Sequence, residues 1–148
     1  MRGELEDMAG ALGVTIEYVD LARRDGEYRH DLKRIRLRTG MTMRKEVCAL
    51  AHELAHAVWG DVPSKFGPVN AKQERRADEW AALLLISPDR YRLAEERWEG
   101  HTGAMAYDLG VTTRIIEAFR SVLARIGDNV YVDPRMGVGQ WVGKVPVS

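Results

Sequence analysis

The sequence predicts an α+β fold in which a small antiparallel sheet packs on a helical core. Apolar residues recur at helical spacing over most of residues 43–126, whereas the alternation typical of strands occurs before residue 40. No internal repeat, low-complexity tract or long linker divides the 148 residues. Because a chain of this length typically forms one domain, we expect a single domain over residues 1–148.

Residues 1–40 predict one helix and the sheet. Apolar residues at positions i, i+3, i+4 and i+7 predict an amphipathic helix over residues 4–12. Apolar and polar residues alternate over 14–18 and again over 34–38, which predicts two strands. Residues 27–31 are a candidate hairpin partner for the second of these strands.

The middle of the chain, residues 43–86, predicts a pair of long helices. One apolar stripe runs along residues 43–59 and few charges lie on the other faces, so this helix should be buried. Gly60 is the type of residue that ends a helix. Two prolines and a glycine predict a loop over residues 61–69, and the second helix should follow over about 71–86.

Three shorter helices and a tail are predicted after the helix pair. Ser87, a candidate N-cap followed by proline, predicts a helix over about 88–98. Two further helices, over 104–109 and 113–126, have the pattern of a helix-turn-helix pair. Residues 127–148 are rich in glycine and proline, which predicts an irregular tail or a short strand.

The composition excludes several classes of protein. Lysine plus arginine and aspartate plus glutamate each number 22, and a net charge of zero argues against a protein that coats nucleic acid or membranes. The longest aliphatic run, residues 81–86, is far shorter than the roughly 20 residues of a membrane span. No secretory signal is evident, and Cys48 is the one cysteine, so no internal disulfide can form. We expect a cytoplasmic protein.

A metal-binding pattern lies inside the first long helix, where residues 52–56 are His-Glu-Leu-Ala-His. Four residues advance a helix by about 400° and about 6 Å, so both imidazoles project from one face. Two imidazoles so placed can hold a tetrahedral Zn²⁺, and the glutamate beside the first can reach a water there. We therefore predict His52 and His56 as metal ligands and Glu53 as the catalytic residue.

The second long helix carries two acidic residues on the face that it should bury. Glu74 and Asp78 share a stripe with Ala77, Ala81 and Leu85. Burying two carboxylates costs several kcal/mol unless each is paired or binds a cation. A helix packed across the two histidines would deliver Glu74 as the third metal ligand. Asp78, one turn further, could accept the other N–H of a ligand histidine and fix its tautomer.

Each of these residues also has an ordinary structural interpretation. The histidine motif arises by chance in roughly 1% of chains of this composition, and both histidines could then be partly buried helix residues. Glu74 and Asp78 could pair with Arg75, with Arg76 or with a lysine on a solvated face. The two arginines point about 100° and 200° away from Glu74, which disfavours that pairing.

Residues 49–57 (ALAHELAHA) and 74–85 (ERRADEWAALLL) resemble the two signature helices of the ImmA/IrrE family of metallopeptidases. The second signature of that family has the form E-R-x-A-[ND]-x-[FW]-A-A-x-L-L. The proline that usually follows it directly comes late here, at Pro88. The resemblance covers about residues 28–126. The pattern is also similar to the thermolysin type, in which E-x-x-x-D supplies a ligand and a supporting carboxylate.

This resemblance implies a zincin-like α+β fold, a bound zinc ion and cleavage of a regulatory protein, often a repressor of a phage or mobile element or a stress regulator. His52, His56 and Glu74 would hold Zn²⁺ and leave a position for water. Glu53 would act as the general base. A strand edge within residues 28–38 could align an extended protein substrate.

Two other functions are alternatives. Residues 106–113 resemble the turn of a DNA-binding helix-turn-helix, with Arg114, Arg120 and Arg125 as candidate phosphate contacts. The zero net charge argues against this function, so we expect neither a nucleic-acid nor a membrane partner. The second alternative is a zinc-bound module that binds a protein without cutting it. Glu53 argues against such a module, because a structural site has no need of a base.

Overall fold

Six helices and five short strands make up the part of the chain that the computed structural model describes, residues 1–126, 129–131 and 144–146. The α+β fold class with a helical core is confirmed. In chain order the elements are α1 (Arg2–Ala11), β1 (Thr15–Val19), β2 (Gly26–Arg29), β3 (Arg34–Arg38), α2 (Met43–Trp59), α3 (Gly67–Leu85), α4 (Pro88–Trp98), α5 (Thr102–Leu109), α6 (Thr113–Ile126), β4 (Asn129–Tyr131) and β5 (Lys144–Pro146).

The N-terminal sheet is mixed and not antiparallel throughout, which corrects the prediction. Its strand order is β1-β3-β2. The hairpin strands β2 and β3 are antiparallel, as expected from the candidate partner segment, whereas β1 and β3 are parallel. The chain reverses direction between β1 and β2 and again between β2 and β3, so β1 and β3 run in the same direction. Because β3 is the central strand, it pairs with both of the others.

Helix α2 has the bounds that the sequence predicts, and both of its ends are capped. The Thr42 side chain accepts a hydrogen bond from the backbone N–H of Lys45 at 3.3 Å. Gly60 ends the helix in the left-handed conformation, with a φ of 64°. Within this helix Leu50, Ala51 and Leu54 are fully buried, and the helix packs on α1, β2 and β3.

Helix α3 begins at Gly67, four residues before the predicted start. The prediction gave too much weight to Pro68 as a loop residue. A proline in the first helical turn removes an N–H that has no partner within the helix in any case. In the first turn of the helix, the side chain of Asn70 accepts from the backbone N–H of Ser64 at 2.8 Å. Just before the helix, the Phe66 N–H donates to the Ser64 hydroxyl at 3.0 Å.

Helices α4 and α6 follow the prediction closely, and α5 starts two residues early. The Ser87 side chain accepts from the backbone N–H of Arg90 at 3.1 Å and so caps α4. His101 caps α5 by accepting from the N–H of Ala104 at 3.1 Å, which explains the earlier start. The predicted irregular tail contains the antiparallel pair β4 and β5; its other residues, 127–128, 132–143 and 147–148, lie outside the described residues.

The chain divides into two compact units, Met1–Ala77 and Asp78–Ser148, and the division falls within α3. A single domain over the whole chain stays a prediction. Within the described residues no helix is long and apolar enough to cross a membrane. The largest fully buried side chains of the first unit are Leu5, Ile35, Leu37, Leu50 and Leu54, and those of the second are Met105, Val111, Ile116, Phe119 and Val122.

Candidate metal centre

His52 and His56 lie one turn apart on α2 and present their rings to the same space. The ring centroids are 4.8 Å apart, and the planes meet edge to face at 81°. The two Nε2 atoms are separated by 3.1 Å. His56 is buried, whereas His52 is partly accessible. The i, i+4 spacing on this capped, buried helix therefore brings the Nε2 atoms of the two imidazoles together.

Glu74 of α3 completes the cluster that the sequence predicts. Its Oε2 lies 2.7 Å from the Nε2 of His52, and its Oε1 lies 3.4 Å from the Nε2 of His56. The ligand atoms of the three residues all lie within 4.8 Å of one another. The contacts to both histidines lower the pKa of the Glu74 carboxyl well below its usual range. The carboxylate faces the histidines, but the Glu74 side chain is 53% exposed, so the expectation that α3 buries it is wrong.

The three donor atoms fit a divalent metal ion. Histidine nitrogens bind Zn²⁺ at about 2.0–2.1 Å in tetrahedral geometry, which places neighbouring ligand atoms about 3.3 Å apart. The nitrogen–nitrogen distance of 3.1 Å is close to that edge length. The two oxygens of the Glu74 carboxylate face the two nitrogens, Oε2 at 2.7 Å from His52 and Oε1 at 3.4 Å from His56. Two imidazoles and one glutamate are also a donor set typical of catalytic zinc, which keeps a fourth position for water or substrate.

Glu53 is buried beside the histidines and is 6% exposed. Burial raises the pKa of its carboxyl, although His52 and His56 oppose the shift. The β2 strand passes close to this side chain: a Cβ on Gly26 would lie 3.1 Å from the Glu53 Cγ. No pattern in the sequence signals this contact. The strand can approach Glu53 this closely because residue 26 has no side chain.

Asp61 is a site residue that sequence reasoning missed. Its Oδ2 lies 2.8 Å from the Nδ1 of His56, and its Oδ1 accepts a hydrogen bond from the Nη2 of Arg76 at 2.5 Å. Asp61 is buried directly after Gly60, where its backbone N–H donates to the carbonyl of His56 at 2.9 Å. An acidic residue immediately after a helix-ending glycine, five positions beyond the second histidine, is the signal that could have identified it.

His56 has its two ring nitrogens in different surroundings. Burial alone would lower the pKa of the imidazole, but the contacts with Glu74 and Asp61 raise it above its usual value. Nε2 faces His52 and Glu74, and Nδ1 faces Asp61. Such a carboxylate behind a metal-binding histidine is a common way to orient the ring.

The two acidic residues of the α3 stripe have other partners than the ordinary structural interpretation proposed. Glu74 contacts the two histidines, while Arg76 contacts Asp61. Asp78, one turn after Glu74, accepts a hydrogen bond from the Nε of Arg114 at 2.8 Å. An arginine does pair with Asp78, but it comes from α6 and not from α3. The predicted support of a ligand histidine by Asp78 stays a prediction.

The three arginines of the candidate DNA-binding segment all make contacts within the chain. Arg114 pairs with Asp78, and the Nη1 of Arg125 pairs with Glu79 at 2.6 Å. Arg120 donates to the hydroxyls of Tyr91 and Thr102 and to the carbonyl of Gly100. The three arginines thus connect α6 to neighbouring elements, and this weakens the case that they bind phosphate.

A family comparison adds independent evidence. Residues 9–119, more than half of the chain, match the model of a peptidase family described as the IrrE N-terminal-like domain. The match includes every residue of the candidate metal centre. No curated protein matches the sequence.

Proposed function

Because the chain belongs to the peptidase family described as the IrrE N-terminal-like domain, we propose that it is a zinc-dependent endopeptidase acting on a regulatory protein. The observation that carries the proposal is the convergence of His52, His56 and Glu74 beside the buried carboxyl of Glu53. A metal-binding cluster alone has many uses. A metal-binding cluster with a carboxyl group next to it has what hydrolysis of a peptide bond requires.

The residues take distinct roles in the proposed reaction. The Nε2 atoms of His52 and His56 and the carboxylate of Glu74 would hold the ion. Bound zinc supplies Lewis acidity toward a carbonyl oxygen and lowers the pKa of water to about 7. The Glu53 carboxylate would accept the proton of the attacking water and later donate it to the nitrogen of the leaving amine. The low exposure of Glu53 keeps bulk water from competing for that proton.

An extended substrate has a natural docking element in β2. This strand is at the edge of its three-stranded sheet and packs against α2, the helix that carries both histidines. Edge strands bind extended peptides through main-chain hydrogen bonds, with specificity from alternate side chains. Docking of the substrate along β2, within or beside the predicted 28–38 segment, would bring a peptide backbone past Glu53.

A repressor of a phage or mobile element, or a stress regulator, is the substrate class that the resemblance implies. The test is to incubate the zinc-loaded protein with regulators encoded beside its gene and with a peptide library. New N-termini that appear with the wild type and not with Glu53→Gln support the proposal. Stoichiometric zinc without any cleavage would instead favour the non-catalytic binding module.

A further inference from the structure

A continuous set of contacts runs from the candidate metal centre to the end of α2. The Nδ1 of His56 contacts Asp61 at 2.8 Å, and Asp61 contacts Arg76 at 2.5 Å. The Arg76 guanidinium in turn lies over the ring of Trp59, 4.5 Å from its centroid. We propose that Asp61 and Arg76 are positioning residues of the metal centre, an inference that rests on the proposed function.

Asp61 determines which nitrogen of His56 is free to bind a metal. A carboxylate only accepts hydrogen bonds, so the contact with Asp61 requires the proton of the neutral ring to sit on Nδ1. The lone pair is then on Nε2, the atom 3.1 Å from His52 and 3.4 Å from Glu74. Without Asp61, the neutral His56 ring could equally carry its proton on Nε2. In that tautomer Nε2 has no lone pair with which to bind a metal ion.

The positive charge of Arg76 offsets the electrostatic cost of burying the Asp61 carboxylate. The Asp61 side chain is 7% exposed, and a buried carboxylate without a cation is strongly destabilised. The two carboxylate oxygens are divided between the partners, Oδ1 to Arg76 and Oδ2 to His56. The guanidinium lies over the ring of Trp59, the last residue of α2, and this cation–π contact favours the observed position of the arginine.

The same arginine also bears on the third ligand. Arg76 lies two residues after Glu74 on α3. Because Arg76 contacts Asp61 and Trp59, it attaches α3 to the end of α2 close to the backbone of Glu74. Arg76 therefore acts on two ligands. It supports the tautomer of His56 through Asp61, and it helps to position Glu74 through α3, the helix that carries both residues.

The test measures the zinc affinity of the zinc-loaded chain and of four variants, by competition with a chelator. Arg76→Met and Asp61→Asn should each weaken binding by about 10- to 100-fold, the usual effect of removing a group that supports a ligand histidine. Arg76→Lys keeps the charge but loses the guanidinium that lies over Trp59 and donates to Asp61, so its zinc affinity should fall in between. Arg75→Met is the matched control, because Arg75 is the exposed neighbour with the same charge, and its affinity should not change.

A second measurement separates positioning from general damage. The Nδ1 proton of His56, followed in nitrogen-15-edited spectra of the zinc-loaded protein, should exchange slowly in the wild type and in Arg75→Met. It should exchange fast in Asp61→Asn, which is nearly isosteric and should fold even if Arg76→Met does not. Unchanged affinity and unchanged exchange in Asp61→Asn would overturn the inference and leave the proposed function intact. A wild type that binds no zinc would overturn both.

Discussion

Gly26 of β2 lies against the side chain of Glu53 so closely that an added Cβ would be 3.1 Å from the Glu53 Cγ. The same Cβ would meet Leu37 Cδ2 at 3.1 Å and the backbone oxygen of Arg36 at 3.3 Å. The space is therefore closed by the proposed base on one side and by the neighbouring strand on the other. The edge strand therefore packs closely on the Glu53 side chain at a position that has no side chain of its own.

Gly26→Ala should lower the peptidase rate by about ten- to a hundred-fold, because a small misplacement of a reacting group has effects of that size. The overpacking should also reduce the free energy of unfolding by about 1–3 kcal/mol. Zinc stoichiometry should not change. The control is Gly10→Ala in α1, where an added Cβ has no neighbour within 4 Å. Equal rates for the two variants would contradict the positioning of Glu53 by β2.

Glu53→Gln should keep zinc at one ion per chain and lose cleavage of the substrate, since an amide cannot accept the proton of the attacking water. We expect a fall in rate of at least about a hundred-fold. Metal analysis and a cleavage assay on the same sample check this. Glu96→Gln on the exposed face of α4 changes the charge equally and should have full activity. Full activity in Glu53→Gln would remove Glu53 from the mechanism.

Glu74→Gln should weaken zinc binding by more than the roughly 10- to 100-fold that supporting residues contribute, because Glu74 supplies a ligand atom itself. Zinc at a hundred times its dissociation constant stabilises a folded protein by about 2.7 kcal/mol. Added zinc should therefore raise the melting temperature of the wild type clearly, and that of Glu74→Gln much less. Glu117→Gln, an exposed glutamate on α6, should respond to zinc like the wild type. An undiminished zinc response in Glu74→Gln would exclude it as a ligand.

The sequence predicted the residues whose positions follow from a helical repeat. His52 and His56 converge because i, i+4 spacing places them on one face, and the acidic stripe of α3 predicted Glu74. Asp61 escaped prediction because its contact depends on the direction in which the chain leaves α2 after Gly60. The parallel pairing of β1 with β3 and the packing of Gly26 on Glu53 escaped it too. Both depend on tertiary contacts that no local pattern encodes.

The protein should show no salt-dependent affinity for duplex DNA. Arg114 and Arg125 are paired with Asp78 and Glu79, and Arg120 is held by Tyr91 and Thr102. Phosphate contacts would have to compete with these partners, and the net charge of zero gives no long-range attraction. Fluorescence anisotropy with labelled duplexes at low salt checks this. Binding that weakens steeply with added salt would revive the helix-turn-helix alternative.

Gly60→Ala should be more destabilising than the left-handed backbone alone explains. An alanine with a φ near 64° costs about 1–2 kcal/mol, and its Cβ would also meet the His30 ring at 3.2 Å. That ring cannot move freely, since its Nδ1 is bonded to the Tyr28 hydroxyl at 2.9 Å. Gly110→Ala is the matched control: it has a φ of 70° at the end of α5 and no neighbour within 4 Å.

Chemical denaturation of both variants gives the comparison, and the loss should be greater for Gly60→Ala. Because the Gly60 turn sets the position of Asp61, whose backbone N–H returns to the His56 carbonyl at 2.9 Å, this variant should also bind zinc more weakly. Gly110→Ala should bind zinc like the wild type. A Gly60→Ala protein with normal zinc affinity and a loss of stability equal to that of Gly110→Ala would show that the turn after α2 tolerates a side chain and does not govern the metal centre.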